Sequence, residues 1–460
     1  MVTPGSTSPL VRRGGRAGGV AVGLAAGLIL AGVLPAAAAS IVGWSGFQGG
    51  ATHAGFASEG PAPPYTEAWT APSELGGPSG QFGLSQPVVV DDTVVALATR
   101  SVVALDLATG ESRWTIGRDP GPAVPPAVYA PSSGTVAIVY TEGFGPHPPG
   151  SRASASSSTS ASTSASSPTA TASPAASGDA AGRVDSHLVA IDIATQGSLW
   201  KRVELDAVSY TGVTVADDVA YVGTEAGSVY AVDLLTGTTE WTVDAGESID
   251  TPLLVAGGLV IATTGATNDT AASVVALSAS DGSETWRWKG DTPIFRLSAA
   301  SADAAHVYVG YSDQNGTLRA LDLHTGALTW TARMNAAINL VSAPVATGDA
   351  VYALDFRGQL YRFDPATGAR IWDFAFNELV LRSGPVAFGD QVVLGTTGGR
   401  LAAVEASSGD LVWETGKGQG QLRSIAVTPD RLVAVRGGML AGLVAYDSDP
   451  AGTLVRVNSP

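Results

Sequence analysis

Histidines and paired aspartates are the side chains in this sequence that could hold a metal ion or transfer a proton. The five histidines are His53, His147, His187, His306 and His324. No two of them have the H-x-x-x-H spacing of a metal-binding helix. Two acidic pairs, Asp91 with Asp92 and Asp217 with Asp218, stand where hairpin turns are predicted, and glycine fills the same positions in other units. The sequence therefore predicts no metal ligands.

Cysteine is absent, which excludes a disulfide framework, a thiolate metal site, a covalently attached haem and a cysteine nucleophile. It also excludes lipid attachment to an N-terminal cysteine. No nucleophile elbow, phosphate-binding loop or catalytic pair of carboxylates stands out. We therefore expect no catalytic residue, no bound cofactor and a protein that is not an enzyme.

The composition favours an all-β protein. Of 460 residues, 57 are glycine, 45% are hydrophobic and 14% are charged, a balance that suits many short strands and tight turns. The net charge is −16. Such an acidic surface repels phosphate backbones, so nucleic-acid binding is not expected.

A repeated pattern, A-x-D-x-x-T-G-x-x-x-W, organises the chain. Its first copy runs from Ala104 through Asp106 and Gly110 to Trp114. From Trp200 onward the tryptophans are 41, 45, 44, 42 and 41 residues apart, which is the length of one four-stranded propeller blade. Counting degenerate copies, the pattern occurs eight times. We therefore predict an eight-bladed β-propeller of four-stranded antiparallel blades over residues 41–460.

Each part of the pattern has a physical role. The aspartate caps local amides, and the glycine can adopt a positive φ, so the D-x-x-T-G segment forms a turn between two strands. The tryptophan follows on the outermost strand, where it can fill the wedge between blades and donate its N–H to a carbonyl. The predicted packing tryptophans are Trp69, Trp114, Trp200, Trp241, Trp286, Trp330, Trp372 and Trp413.

This pattern resembles the tryptophan-docking motif of the pyrroloquinoline-quinone (PQQ) dehydrogenases and of the wider PQQ-like repeat family, which includes the propeller lipoprotein of the outer-membrane assembly machinery. The segment around Trp44 and Phe47 is similar to the one that often opens such domains. The family's enzymes bind PQQ with calcium ligands and a catalytic aspartate, and the methanol-dehydrogenase type adds a disulfide. No segment of this chain matches the calcium ligands or that aspartate, so the resemblance implies the non-catalytic branch.

Trp69 belongs to a strand-like fragment, residues 65–70, that has no preceding strands of its own. The final unit, residues 421–457, lacks a packing tryptophan. We therefore predict that the fragment supplies the outermost strand of the last blade and closes the ring. The alternative is that Trp69 is an isolated surface aromatic.

The segments that enter the innermost strands should surround the mouth of the central channel. Three arginines there could attract an anionic ligand or a peptide carboxylate. Alternatively, the arginines pair with Asp250, Glu378 or Asp291 and tie the blades together. The candidate ligand-binding residues are Tyr210, Asp250, Arg296, Asn339, Arg382 and Arg423.

Two segments fall outside the repeats. Residues 1–39 combine three arginines, an apolar run and the A-x-A site at Ala37 and Ala39, which predicts a signal peptide or, alternatively, a membrane anchor. Either one places the remainder outside the cytoplasm. Residues 146–182 form a Ser/Thr/Ala/Pro-rich insert in blade 2, predicted to be disordered or, alternatively, O-glycosylated.

The sequence thus predicts a monomeric, non-enzymatic binding or scaffold propeller, exported to the cell envelope. Its expected partner is a protein or a glycan, and its only expected membrane contact is through the N-terminal segment. One alternative is a PQQ-dependent dehydrogenase that uses calcium. Another is a membrane-anchored sensory ectodomain.

Overall fold

Eight β-sheets, each containing a four-stranded antiparallel blade, form the body of the protein in the computed structural model, which confirms the predicted eight-bladed propeller. The only helix among the described residues is a short 3-10 turn, Phe47–Gly49, and no helix there is long and apolar enough to cross a membrane. The predicted signal peptide or anchor and most of the insert lie outside the described residues. The structure describes residues 42–71, 83–132, 134–144, 186–293, 295–313, 316–337, 343–380, 383–416, 418, 420–437 and 442–452.

Three strands precede the first complete blade: β1 (Val42–Trp44), β2 (Phe56–Ala57) and β3 (Tyr65–Ala71). The strands of blades 1 and 2, from the innermost outwards, are β4 (Val88–Val90), β5 (Thr93–Ala98), β6 (Ser101–Asp106), β7 (Ser112–Gly117), then β8 (Ala127–Tyr129), β9 (Ala137–Glu142), β10 (Ser186–Asp192) and β11 (Val203–Leu205). Those of blades 3 and 4 are β12 (Val213–Ala216), β13 (Val219–Gly223), β14 (Ser228–Asp233), β15 (Thr239–Asp244), then β16 (Leu254–Ala256), β17 (Leu259–Thr263), β18 (Ser273–Ser278) and β19 (Glu284–Lys289).

The later blades repeat this order. The strands of blades 5 and 6 are β20 (Ser301–Ala302), β21 (His306–Tyr311), β22 (Thr317–Asp322), β23 (Leu328–Arg333), then β24 (Val345–Ala346), β25 (Val351–Leu354), β26 (Gln359–Phe363) and β27 (Arg370–Ala375). Those of blades 7 and 8 are β28 (Val386–Phe388), β29 (Gln391–Gly395), β30 (Leu401–Glu405), β31 (Leu411–Glu414), then β32 (Leu422–Val427), β33 (Arg431–Arg436) and β34 (Gly442–Ser448).

The two faces of the disc carry different connections. Turns that join the first to the second strand of a blade, and the third to the fourth, lie on what we call the turn face. Connections between the second and third strands, and between successive blades, lie on the opposite side, which we call the loop face. This division decides where each candidate residue can act.

Burial within a blade explains the hydrophobic pattern of each strand. All six residues of β5 are buried, because neighbouring blades cover both faces of a central strand. In the outermost strand β7, by contrast, the more buried residues alternate with exposed ones. Central strands therefore read as apolar runs, whereas outer strands show a period of two.

The packing tryptophans join each blade to the next. In blade 5 the Trp330 Nε1 donates to the Pro365 carbonyl at 2.9 Å. A Cβ on Gly368 would lie 2.5 Å from the Trp330 ring, and Gly368 has a φ of +70°, so both packing and backbone require glycine there. Equivalent hydrogen bonds join Trp69 to Leu107, Trp200 to Leu234, Trp241 to Ala279, Trp286 to Leu323 and Trp372 to Ala406.

Blade 2 departs from this arrangement. The position four residues after Asp192 is Gln196, which takes a φ of +58° where the other turns have glycine. Trp114 of blade 1, which precedes this turn, is half-buried in a cluster that includes Ile193. Trp372, which packs on Gly409, is half-buried as well, so glycine in the turn does not by itself set the burial of the tryptophan.

The N-terminal side of the chain completes the last blade. Strand β3 pairs antiparallel with β34, with Trp69 opposite Ala445. Trp69 then packs on Gly110 of blade 1, where a Cβ would lie 2.5 Å from its ring. On the other side of the blade, Tyr65 makes an edge-on ring contact with Trp413 of blade 7 at 5.1 Å. The ring therefore closes by joining segments from opposite ends of the chain, as the sequence predicts.

Candidate functional site at the channel mouth

The N-terminal segment, residues 42–57, lines the central channel. Strand β1 pairs antiparallel with the innermost strand of blade 1, and β2 pairs in parallel with that of blade 7. Carbonyls of the segment also accept hydrogen bonds from the innermost strands of blades 2, 4, 5, 6 and 7. These bonds run from Val128 to Ser45, Val255 to Ala51, Ala302 to Thr52, Ala346 to Ala54 and Ala387 to Gly55, at 2.7–3.1 Å. The sequence identified this segment as an opening motif but gave no indication that it enters the channel.

Buried polar side chains hold this segment in place. The Gln48 side chain donates to the Ala343 carbonyl at 3.2 Å and accepts from the Ala343 N–H. His53 is fully buried, and its Nδ1 lies 3.0 Å from the Ala300 carbonyl, so Nδ1 must carry the proton and donate it. Burial lowers the pKa of His53 to about 4, although the hydrogen bond to Ala300 acts in the opposite direction. His53 is therefore a neutral structural residue at neutral pH.

The segment lies nearer the turn face, because Val42 pairs with Val90, the last residue of β4. On the loop-face side the channel keeps a cavity of about 280 Å³, and Phe47 forms part of its lining. Leu84, Val124 and Pro252 add apolar walls. The channel is therefore closed toward one face and open toward the other.

Three of the predicted ligand-binding residues, Tyr210, Asp250 and Arg423, line this cavity together. The Tyr210 side chain is 43% exposed, and partial burial raises the pKa of its hydroxyl, with a smaller contribution from Glu225. Asp250 accepts a hydrogen bond from the Ser248 hydroxyl at 2.7 Å. The cavity thus combines an apolar wall with one acidic, one basic and one phenolic side chain.

Arg296 lies in an adjoining cavity of about 130 Å³, which shares Asp250 with the first. The hydroxyl-bearing residues Thr251, Thr263 and Thr264 also line it. Asn339 and Arg382, the other two predicted residues, lie outside the described residues.

The ion pairs in the structure bear on the alternative role of these arginines. Asp291 pairs with Arg319 at 2.7 Å, and Glu378 pairs with Arg400 at 3.9 Å. Two of the three acids proposed as alternative partners, Asp291 and Glu378, therefore pair with other arginines, while the third, Asp250, shares a cavity with Arg296. The sequence did not indicate these pairs. Arg319 belongs to strand β22, and Arg400 lies in the connection between β29 and β30.

Exposed apolar side chains lie on the loop face of blade 6. Phe356 and Leu379 are exposed and adjacent, since the Val380 N–H donates to the Phe356 carbonyl at 3.1 Å. The Arg357 guanidinium lies 5.7 Å from the centre of the Phe356 ring. Aromatic residues and arginine are enriched in protein–protein interfaces. This patch on blade 6 therefore has residue types that are common in protein-binding surfaces.

The turn face is strongly acidic. Its aspartates cap the turns, as Asp106 does for the N–H groups of Ala108 and Thr109 at 2.9 Å. Arg113 donates to Asp106, which with the turn N–H groups lowers the pKa of that carboxyl to about 2. The other turn aspartates are Asp91, Asp92, Asp192, Asp217, Asp218, Asp233, Asp281, Asp303, Asp322, Asp349, Asp364, Asp390, Asp430 and Asp447. The two faces of the disc thus present different chemistry to a partner.

A further cluster of ionisable groups lies on the loop face of blade 2. Ligand atoms of Asp119, Glu142 and His187 lie within 4.8 Å of one another. Burial raises the pKa of Glu142, although a hydrogen bond from the Asp119 N–H opposes the shift. Arg202 forms ion pairs with both carboxylates. This cluster leaves no signal in the sequence, because Glu142 and His187 are separated by the insert.

The sequence matches a known protein family. The family model described as outer membrane protein assembly factor BamB matches residues 184–363 and 356–454. The chain belongs to this family. A BamB protein of Yersinia pestis is 30% identical over 172 residues, which are 35% of this chain and 42% of that protein. One from Nitrosomonas eutropha is 27% identical over 200 residues, 41% of this chain and 47% of that protein. The chain thus spans less than half the length of these curated relatives.

Solved structures of this family and of others share the fold. BamB from Moraxella catarrhalis superposes with a TM-score of 0.57 and 16% identity, covering 84% of this chain and all of that one. A quinohemoprotein alcohol dehydrogenase from Pseudomonas putida gives a TM-score of 0.60 and 13% identity, covering 91% of this chain and 82% of that one. At these identities the likeness concerns the fold alone.

The PQQ dehydrogenases bind their quinone together with calcium, so a PQQ site needs calcium ligands. Calcium takes about six to eight oxygen ligands, with carboxylates prominent among them. In the described lining of the channel-mouth cavity, Asp250 is the one carboxylate. The residues that line this cavity therefore do not fit a calcium-bound quinone.

Proposed function

We propose that this protein is a non-enzymatic binding propeller of the cell envelope that holds a protein partner against its loop face. Its membership of the BamB family supports this, because the named relatives are assembly factors. The sequence match covers less than half of each of these relatives, so the proposal rests on the geometry of the site as well. The protein acts without a cofactor and outside the cytoplasm.

One observation carries the proposal: Tyr210, Asp250 and Arg423 line a single cavity that opens on the loop face, while the N-terminal segment fills the channel toward the other face. A cavity of about 280 Å³ is near the lower limit for small-molecule sites and accommodates a side chain or two of a peptide. The exposed Phe356 and Leu379 extend the contact surface beyond the cavity.

Charge favours an acidic or neutral segment of the partner at this mouth. Arg296, Arg357 and Arg423 lie on the loop face, whereas the turn face is crowded with aspartates. The loop face also carries acids such as Glu225 and Asp250, but the turn face should repel a negatively charged partner more strongly. A glycan partner would need chiefly hydrogen-bonding groups, and the exposed apolar side chains favour a protein instead.

Site-specific photo-crosslinking in the native cell envelope tests this proposal. A photoreactive residue in place of Tyr210 or Leu379 should form a common adduct with one partner protein. The same residue in place of Leu235 or Asp390, which are exposed on the turn face, should form none. Adducts from the turn-face positions alone, or from none of the four, would contradict the proposal.

The enzymatic alternative has a direct test in the same material. The purified protein, supplied with PQQ and Ca²⁺, should show no quinone absorbance after desalting and no dye-linked oxidation of alcohols. Turnover of any alcohol would overturn the non-enzymatic assignment.

A further inference from the structure

We propose that Asp119, Glu142 and His187 form a binding site for a divalent transition-metal ion, of which Zn²⁺ is the representative, at the root of the insert in blade 2. This site is distinct from the channel mouth and does not depend on the function proposed above. All three residues belong to the described part of the chain. So does Arg202, which forms ion pairs with the two carboxylates.

Three different elements bring the ligand atoms together. Glu142 is the last residue of β9, and His187 lies directly opposite it in β10. Asp119 follows β7, and its N–H donates to Glu142 Oε2 at 3.1 Å, which fixes the loop beside the carboxylate. The ligand atoms then lie within 4.8 Å of one another, so movements of about an ångström bring them to the separations of a metal's ligands.

The unpartnered ring nitrogen of His187 is the observation that points to a ligand. Its Nδ1 atom is buried and has no hydrogen-bond partner among the described atoms. The His187 side chain as a whole is half-buried, and a metal ion on Nδ1 would supply the partner that this buried nitrogen lacks. The neighbouring Glu142 side chain is only 5% exposed, so the carboxylate also faces inward.

A divalent cation at this site would have to displace Arg202 from the carboxylates. Arg202 pairs with both Asp119 and Glu142, and the buried Arg118 also interacts electrostatically with Glu142. The Arg202 side chain is 49% exposed and forms its ion pair to Glu142 at 3.1 Å. It can therefore swing into solvent at little cost and leave both carboxylates to the metal.

The donor set selects the kind of metal. One imidazole nitrogen and two carboxylate oxygens suit Zn²⁺ or a similar transition-metal ion, with water completing the coordination. Calcium prefers six to eight oxygen ligands and gains nothing from the histidine. A metal here would hold together the two strand ends at which residues 143–185 leave and re-enter the blade.

Calorimetric titration of the purified protein with Zn²⁺, and the visible spectrum of a Co²⁺ complex, test the site. We expect one tightly bound Zn²⁺ per chain. His187→Gln should weaken binding by at least the 10- to 100-fold that loss of an outer-shell partner costs. The matched control is His324→Gln, an exposed histidine on the turn face, which should leave binding unchanged.

Arg202→Gln provides the opposite test, and it does not rely on the folding of the His187 variant. Since Arg202 competes for the same carboxylates, its removal should tighten Zn²⁺ binding by roughly three- to tenfold. Melting curves without metal show whether each variant is folded. The proposal is overturned if the wild type and Arg202→Gln bind no Zn²⁺, if His187→Gln binds as tightly as the wild type, or if Ca²⁺ binds and Zn²⁺ does not.

Discussion

Replacing Trp69 by alanine should lower the free energy of unfolding by about 3 kcal/mol or more, the usual cost of truncating a buried tryptophan. The Trp69 indole packs on Gly110 and donates to the Leu107 carbonyl at 2.9 Å. Because Trp69 is on β3, this contact joins the N-terminal strand of the last blade to the first blade. The loss therefore acts at the seam of the ring, and a denaturant titration measures it.

The matched control is Trp114→Ala. Trp114 has the same place in its own blade, but it is half-buried, and the turn of blade 2 has Gln196 where others have glycine. We expect this variant to lose less than half as much stability. Equal losses at the two positions would show that burial of Trp69 at the seam of the ring adds no stability beyond that of an ordinary blade contact.

Deleting residues 62–71 should have a larger effect than either substitution. The deletion removes β3, leaves the edge of β34 unpaired and opens the ring. The melting temperature should fall sharply, and the opened protein should aggregate. An unchanged melting curve would contradict closure by the N-terminal strand.

Acidification should destabilise the protein through His53. Its pKa is about 4 in the folded protein, against 6.5 for the ordinary side chain, so the folded state binds fewer protons between these values. The contribution of His53 to stability is therefore complete above pH 6.5 and is lost as the pH falls toward 4. With 1.36 kcal/mol for each pKa unit, the total loss is about 3 kcal/mol.

His53→Asn provides the control for this effect. Asparagine tolerates the positive φ of +49° at this position and can donate to the Ala300 carbonyl in place of the imidazole. The variant should lose this component of the pH dependence between pH 4 and 6.5. If denaturant titrations of the two proteins show the same slope against pH, His53 is not protonated on unfolding and the N-terminal segment is not held as described.

The sequence predicts the parts of this structure that depend on local, repeated chemistry. The D-x-x-T-G turn and the tryptophan recur with a period near that of one blade, so the blades and the closing strand around Trp69 follow from them. The residues entering the innermost strands are predictable for the same reason. Tyr210, Asp250 and Arg423 accordingly line one cavity.

Features that depend on single long-range contacts are not predictable in this way. The path of residues 42–57 rests on isolated backbone hydrogen bonds to successive blades, which leave no periodic signal. The cluster of Asp119, Glu142 and His187 is hidden because the insert separates two residues that are opposite each other in neighbouring strands. Only the strand register brings them together.

The most direct test of the proposed function is the affinity of the crosslinked partner for two pairs of variants. Tyr210→Ala and Arg296→Glu change the loop face, whereas Leu235→Ala truncates an exposed apolar side chain and Arg370→Glu reverses a charge at positions away from it. We expect the first pair to weaken binding by about tenfold or more and the second pair to leave it unchanged. Equal effects of the two pairs, or a loss confined to the second, would contradict the assignment of the loop face as the binding surface.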